Sequence, residues 1–357
     1  MSVNLFDVNF YRSANTDLAS AGITTDAQLA SHFQSSGLNE GRPFSPLVDL
    51  NFYRASNSDL SNLNNQQSYD NLRTKGIAEG RKFSPFFDLG FYKQSNSDLA
   101  GFSNEQLFDH LQNNGLNEKR NFSPFFSPSF YLANNSDLAQ NNYGGRQLLE
   151  HYVLYGFNEG RPGVSDWVGN NPTSALEVQV DSNSRFYSDS VGSTDSDDYY
   201  RLVVNKPSSV EINITTSANS PTVTLSNNDG SNIVAQLSGG NVNTGTELNS
   251  FFSNFRKNLS QRLGSSFPFN LNNNFDSSDI LGANSFMNIS ASSNNINRSV
   301  NLVSNVGTGN PLFRSSTFPN QPRNELRIIN TLQPGTYLLR FQAGNGNSNY
   351  GFSVKAT

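Results

Sequence analysis

The sequence predicts a two-domain chain of the α plus β class, with four tandem helical-hairpin repeats followed by a β-sandwich that carries a long insertion. Three observations predict it. A Phe-Tyr pair recurs at Phe10-Tyr11, Phe52-Tyr53, Phe91-Tyr92 and Phe130-Tyr131, at spacings of 42, 39 and 39 residues. After Trp167 the patterning changes to short alternating segments separated by turn residues. The length of 357 residues exceeds what one hydrophobic core usually serves. The divisions read as helical repeats over 1–165, a linker over 166–174 and a sandwich over 175–357, interrupted at about 241–324.

Each repeat reads as two helices. Asp7, Asp49, Asp88 and Ser127 stand three residues before the Phe-Tyr pairs, and all carry an oxygen able to accept from a free N–H at a helix start. The first helix is predicted to end near Asn15, Asn57, Asn96 or Asn135, because Asn tolerates the left-handed conformation that closes many helices. Aspartates follow two residues later at Asp17, Asp59, Asp98 and Asp137. Thr25-x-x-Gln28 and Ser103-x-x-Gln106 have capping-box spacing for the second helix, with Asn64 and Gly144 at that position in the other copies. Leu29 and Phe33, Leu107 and Leu111, and Leu148 and Tyr152 are four apart and share one helix face. Gly37, Gly76, Gly115 and Gly156 are predicted to stop that helix. A Glu-Gly-Arg segment closes each unit, with Lys119 in place of Gly in the third. Such a hairpin cannot bury its apolar side alone, so the copies are predicted to stack and to offer their outer faces to a partner.

This pattern of Phe-Tyr-x3-Asn-x-Asp-Leu, a His five residues before Gly, Glu-Gly-Arg and Ser-Pro resembles a repeat of secreted and surface-associated bacterial proteins, notably of cyanobacteria. The resemblance covers nearly half the chain. It implies a place, extracellular or at the cell surface, and carries no agreed biochemical activity.

Beyond Trp167, eight strands are predicted: Leu176 to Val180, Tyr199 to Val204, Val210 to Thr215, Thr222 to Leu225, Ile233 to Leu237, Glu325 to Ile329, Tyr337 to Phe341 and Tyr350 to Val354. Asn228-Asp229-Gly230 and Pro334-Gly335 read as turns. Asp197-Asp198-Tyr199-Tyr200-Arg201-Leu202, Asn-Asp-Gly, Leu332-Gln333-Pro334-Gly335-Thr336-Tyr337 and the last strand together are similar to bacterial pre-peptidase C-terminal (PPC-like) domains. That resemblance implies a small, generally noncatalytic sandwich with a binding or spacer role. In the insertion, Leu248, Phe251, Phe252, Phe255, Leu259 and Leu263 have helical spacing between Thr246 and Gly264. Such a helix packs on the sandwich, or its Phe251, Phe252 and Phe255 face docks on a partner.

Composition excludes several functions. The net charge is −5, about −4 over residues 1–165 and about −1 beyond, with no basic stripe, so no nucleic acid partner is expected. With no cysteine there is no thiolate nucleophile and no cysteine-ligated zinc. No cleavable leader and no apolar run of about 20 residues is visible, so export without a cleavable signal, or a cytoplasmic place, is expected. His32, His110 and His151 occupy one repeat slot, which favours a structural role, and no catalytic residues are assigned. The repeated Asp and Glu/Arg positions read as caps and ion pairs, with a repeated glycan site as the alternative. Asp195, Asp197 and Asp198 form the densest acidic group and could ligate calcium, the single cofactor expected if any, against the alternative of a solvated turn. The resulting expectation is a noncatalytic surface protein that self-associates as a homo-oligomer or attaches to surface polymers. A carbohydrate- or matrix-binding accessory module is the alternative, and a hydrolase a third.

Overall fold

The computed structural model describes residues 3–217, 219, 221–237, 287–293, 296–302, 324–344 and 346–356, with the backbone alone at 237, 287–293, 296–302 and 324–327. The insertion's predicted helix, with Phe251, Phe252 and Phe255, lies outside the described residues.

The first helices of the repeats are Val8–Ala14, Leu50–Ser56, Leu89–Ser95 and Pro128–Ala133. Their predicted caps are in place: Asp7, Asp49, Asp88 and Ser127 each accept from the N–H three residues on. The backbone N–H of the same residues donates to Phe44, Phe83, Phe122 and Gly163, so every repeat is pinned from its start to its end. The second helices are Asp26–His32, Asn65–Asn71, Asn104–His110 and Gly145–His151. Reciprocal side-chain and backbone bonds cap the first three. In the fourth, Gln147 alone reaches back to the N–H of Gly144.

Two predicted roles change. The first helices do not end in left-handed asparagines, since φ at Asn15, Asn57, Asn96 and Asn135 is −124°, −131°, −133° and −132°. The Asn amide works through its side chain, donating to the carbonyl of the Tyr four residues back. In the first three repeats it also donates to the carbonyl of Pro43, Lys82 or Asn121, tying the helix end to the junction. Nor do Gly37, Gly76, Gly115 and Gly156 stop the second helix. The chain continues through a wider helical turn, Phe33–Gly37 in the first repeat, and the residue after each of these glycines is still right-handed helical. What requires glycine is the tyrosine of the first helix. A Cβ at these glycines would stand 2.0, 2.2, 2.1 and 1.9 Å from the hydroxyls of Tyr11, Tyr53, Tyr92 and Tyr131.

Those hydroxyls bond His32, His110 and His151 Nδ1 at 2.8, 2.8 and 2.9 Å, while Tyr53 donates to Asn71 Oδ1 at 2.6 Å. An amide oxygen only accepts, so Tyr53 is the donor to Asn71, and the histidine copies keep the same geometry. Burial pushes Tyr11, Tyr53 and Tyr92 up to about 12, which keeps them as donors. The histidine column therefore ties the second helix of its repeat to the first.

The left-handed position that recurs in all four repeats is at the Glu-Gly-Arg junction, with φ of 71°, 69° and 70° at Gly41, Gly80 and Gly160 and 55° at Lys119. The Arg of each junction pairs with its neighbouring Glu and with the Asp of the Asn-x-Asp column, as Arg81 does with Glu79 and Asp59. These pairs are largely exposed and fix register more than they stabilise. A lysine in this conformation carries a steric cost that glycine lacks, so Lys119→Gly is expected to stabilise the protein by about 1 kcal/mol, measured by denaturant unfolding. A loss of stability would show that the Lys119 side chain, not the backbone, matters there.

One buried cluster runs from Val3 to Phe157, so the four copies share a single core. Rings interlock between copies, as in Phe33 and Phe44 against Tyr69 and Phe86 against Tyr152. The last copy returns to the first, because Arg146 Nη1 meets Asp7 Oδ2 at 2.5 Å and donates through Nη2 to the Gln112 carbonyl. Glu150 lies beside this clasp with a buried, unpartnered Oε1. Burial first, then the charge of Asp7, pushes its carboxyl up to about 7 against the opposing effect of Arg146.

The folded chain thus keeps the Glu150 proton to about pH 7, whereas the unfolded chain releases it near pH 4.5. A state that holds the extra proton loses its advantage as pH rises across that window. Wild type is expected to lose about 1–2 kcal/mol from this group between these limits, after allowance for solvent access, and Glu150→Gln to lose none of it. Unfolding curves against pH for the two proteins should therefore diverge, and parallel curves would refute the assignment.

The second domain is a sandwich of two sheets. One has the order β1 (Leu176–Gln179), β3 (Asp197–Val204), β10 (Gly335–Gln342), β5 (Thr222–Asn227), β6 (Ile233–Leu237). The other runs β2 (Arg185–Val191), β11 (Ser348–Ala356), β4 (Ser208–Thr216), β9 (Asn324–Leu332). All neighbours are antiparallel except β1 and β3. Within the insertion, β7 (Met287–Ser293) and β8 (Ile296–Leu302) pair as a hairpin. Alternation on β3, where Asp198, Tyr200, Leu202 and Val204 are buried, sends one face into a core shared with Ile212, Ile214, Phe341 and Phe352.

The sandwich sits on the repeats through β2 and β11. Phe186 meets Phe52 and Phe125 edge-on, with centroids 5.6 and 5.5 Å apart. Asn349 donates to the carbonyls of Phe157 and Arg161 at 2.9 and 2.8 Å. The linker belongs to this contact, since Val168 packs in the sandwich core and Gly169 accepts from the N–H of Tyr199.

Candidate metal centre

Where the linker meets the ends of β2 and β3, Asp166, Asp189 and Asp198 each place a carboxylate oxygen within 4.8 Å of the other two. Three separate elements supply them. Asp166 is exposed in the linker and accepts from the N–H of Val168. Asp189 sits on β2, 5% exposed, with Oδ1 accepting from the N–H of Ser190 and Oδ2 buried without a partner. Asp198 sits on β3, fully buried; Oδ2 accepts from the Tyr350 hydroxyl, and Oδ1 has no partner. The Tyr350 hydroxyl lies 2.8 Å from that of Tyr200, so the Asp198 carboxylate is positioned by a pair of buried phenols. Register explains the meeting: Tyr350 on β11 lies opposite Asp189 on β2, and its hydroxyl reaches across to Asp198 in the facing sheet.

Asp195, in the loop between β2 and β3, adds a fourth carboxylate near the group, both its oxygens buried and the Asn170 side chain beside them. Burial is the main cause that pushes Asp198 up to about 9, Asp189 to about 7 and Asp195 to about 6, and the neighbouring carboxylates push further in the same direction. Unpaired buried carboxylates of like charge are unstable as anions unless a cation joins them. The donors are all oxygen, a set that would suit a hard divalent ion, and a mixture of strand and loop ligands matches the larger, less exacting coordination of calcium better than the strict octahedron of magnesium. Exposed Asp166 leaves one side open to water, which can complete the ligand set.

Of the predicted acidic trio, Asp195 and Asp198 lie here, but Asp197 does not join them. It is the strand neighbour of Asp198 and therefore points to the opposite face, where Arg340 Nε donates to it at 2.6 Å. Asp166 and Asp189 were not singled out. They are isolated in sequence, and Asp189 lies on a strand that the alternation of Arg-Phe-Tyr-Ser-Asp-Ser-Val does not announce.

No protein-family model matches the chain, and no curated protein matches it. Among solved structures, the 1.0 Å crystal structure of the pre-peptidase C-terminal domain of a collagenase from Bacillus anthracis is similar at 14% identity and a TM-score of 0.25, covering 52% of this chain and 100% of that one. The α plus β architecture stands on the helices and strand pairings described above, a helical repeat body followed by a two-sheet β domain.

Proposed function

We propose that the chain is a noncatalytic extracellular or cell-surface protein that attaches to surface polymers or to its own copies, with calcium fastening its linker to the sandwich. The observation that carries this reading is the convergence of exposed Asp166 with Asp189 and Asp198, each of the latter two with a buried, unpartnered oxygen. A site that must collect several anions before it is satisfied fits the sub-millimolar to millimolar calcium outside cells, where structural modules of this kind operate. The repeated polar columns support a binding role over a catalytic one, because tyrosine with histidine, asparagine with carbonyl and arginine with aspartate are each engaged in holding the repeats. Resemblance of the repeats to those of secreted bacterial proteins agrees with the compartment.

The test is light scattering and electron microscopy of the purified full chain, with calcium and with a chelator, together with detection of the protein in culture medium and washed surface fractions. Calcium-dependent particles, or calcium-dependent retention on isolated cell-surface material, are expected. A monomer that binds no surface material under either condition would remove the reading.

A further inference from the structure

A cleft of about 480 Å³ opens between the second helices of the first two repeats, beneath the segment that enters the first helix. Its wall is aromatic: Phe6 is stacked on Phe33 at 4.6 Å, and Tyr69 meets Phe33 edge-on at 5.5 Å, with Phe6 and Tyr69 half-buried. Its rim is polar, formed by Gln34, Gln66, Asp70 and Arg73. Gln66 donates to Asp70 at 2.8 Å, Arg73 Nη2 stands 3.6 Å from the same carboxylate, and Arg73 Nε is buried without a partner.

Two of the lining residues, Tyr69 and Arg73, depart from the repeat. Tyr69 stands where the other copies have Ala30, Phe108 and Leu149, and Arg73 where they have Gln34, Gln112 and Val153. Tyr69 also packs on Phe33 and Phe44 across the repeat boundary, but Arg73 occurs once, beside a cleft and with its Nε unpartnered, and stacking of the repeats does not account for it.

We propose that this cleft binds a neutral sugar, about one or two pyranose rings of a surface glycan, which suits a cavity of this size. Asp70 and Arg73 offset one another, so a free anion would meet the carboxylate and a free cation the guanidinium. An apolar ligand would cover the exposed parts of the Arg73 guanidinium and the Asp70 carboxylate without compensation. Sugar hydroxyls, which both donate and accept, can satisfy Arg73, Asp70 and the two glutamine amides together, while the C–H face of the ring lies on Tyr69 and Phe6. The inference rests on the attachment half of the proposed function and uses none of the cation ligands.

The experiment is saturation-transfer NMR on the full chain with maltose, cellobiose, lactose and N,N′-diacetylchitobiose, with glucuronate as the charged control, in calcium and again in chelator. At least one neutral disaccharide is expected to receive saturation under both conditions. Arg73→Gln is expected to weaken binding about tenfold or more with the unfolding temperature unchanged, and Tyr69→Ala to weaken it as much with a lowered unfolding temperature, because that ring also packs on Phe33 and Phe44. Gln is the residue of that column in the first and third repeats, so Arg73→Gln is compatible with the fold. Saturation of none of the neutral sugars, preference for glucuronate, or unaltered binding by Arg73→Gln would overturn the proposal. Sugar binding lost in chelator would move it to the cation centre and overturn it too, whereas failure of sugar binding alone would leave the calcium result standing.

Discussion

Calcium is expected to raise the unfolding temperature of the β-sandwich by about 5–10 °C at a concentration about a hundredfold above its dissociation constant, and Asp198→Asn to abolish that rise. The magnitude follows from linkage: a ligand at that excess adds about 2.7 kcal/mol, and a domain of this size moves by about 2–4 °C per kcal/mol. The variant separates a metal site from a merely acidic corner because its two effects have opposite signs. In chelator, the substituted amide would keep an oxygen to accept from Tyr350 and would turn an N–H toward Asp166 and Asp189, where wild type has an unpartnered Oδ1 facing like charge. The variant is therefore expected to be at least as stable as wild type without calcium and less stable with it. Calorimetry of both proteins with and without calcium decides the matter. No calcium response in wild type, or an equal response in both, would dismiss the site.

What the sequence disclosed and what it hid divide along a physical line. Helix starts were legible because a cap is a local event, settled by one oxygen and an N–H two or three residues away, as at Asp49 and Ser103. Asp195 and Asp198 could be grouped from the sequence because both lie close together near one turn. Asp166 and Asp189 escaped because they reach the site only when a linker, a polar strand and the facing sheet have come together, and no periodicity records that meeting. Asp197 was misplaced because adjacency in sequence means opposite faces in a strand. The second repeat shows the same limit within the array: Ser68 takes the place of Leu29, Leu107 and Leu148, and half-buried Arg54 bonds its hydroxyl there. The closure of the first repeat on the fourth through Asp7 and Arg146 is likewise a contact between distant segments with no local signature.

Gly115→Ala is expected to cost about 3–5 kcal/mol, far more than alanine costs in an ordinary helix, and the reason can be isolated. The added Cβ would lie 2.1 Å from the Tyr92 hydroxyl and 3.1 Å from its Cζ. Tyr92 cannot retreat, because it is fully buried, is bonded to His110 and packs edge-on against Phe87. Either the first helix shifts or the hydroxyl leaves its acceptor, and both disturb a core that runs through all four copies. If the glycine instead served to stop the helix, the cost would be about 1 kcal/mol, the usual penalty for a non-glycine residue in a left-handed position, and it would not depend on Tyr92. Adding Tyr92→Phe therefore decides between them. Removing the hydroxyl clears the overlapping atom but leaves His110 Nδ1 unpaired, so the double variant is expected to recover about half of the loss. Chemical denaturation of the four proteins of that cycle measures the coupling. Additive losses would mean that tyrosine and glycine are recurring neighbours in the repeat with no energetic bond between them, and close approach would then fail as the reason for the glycine column.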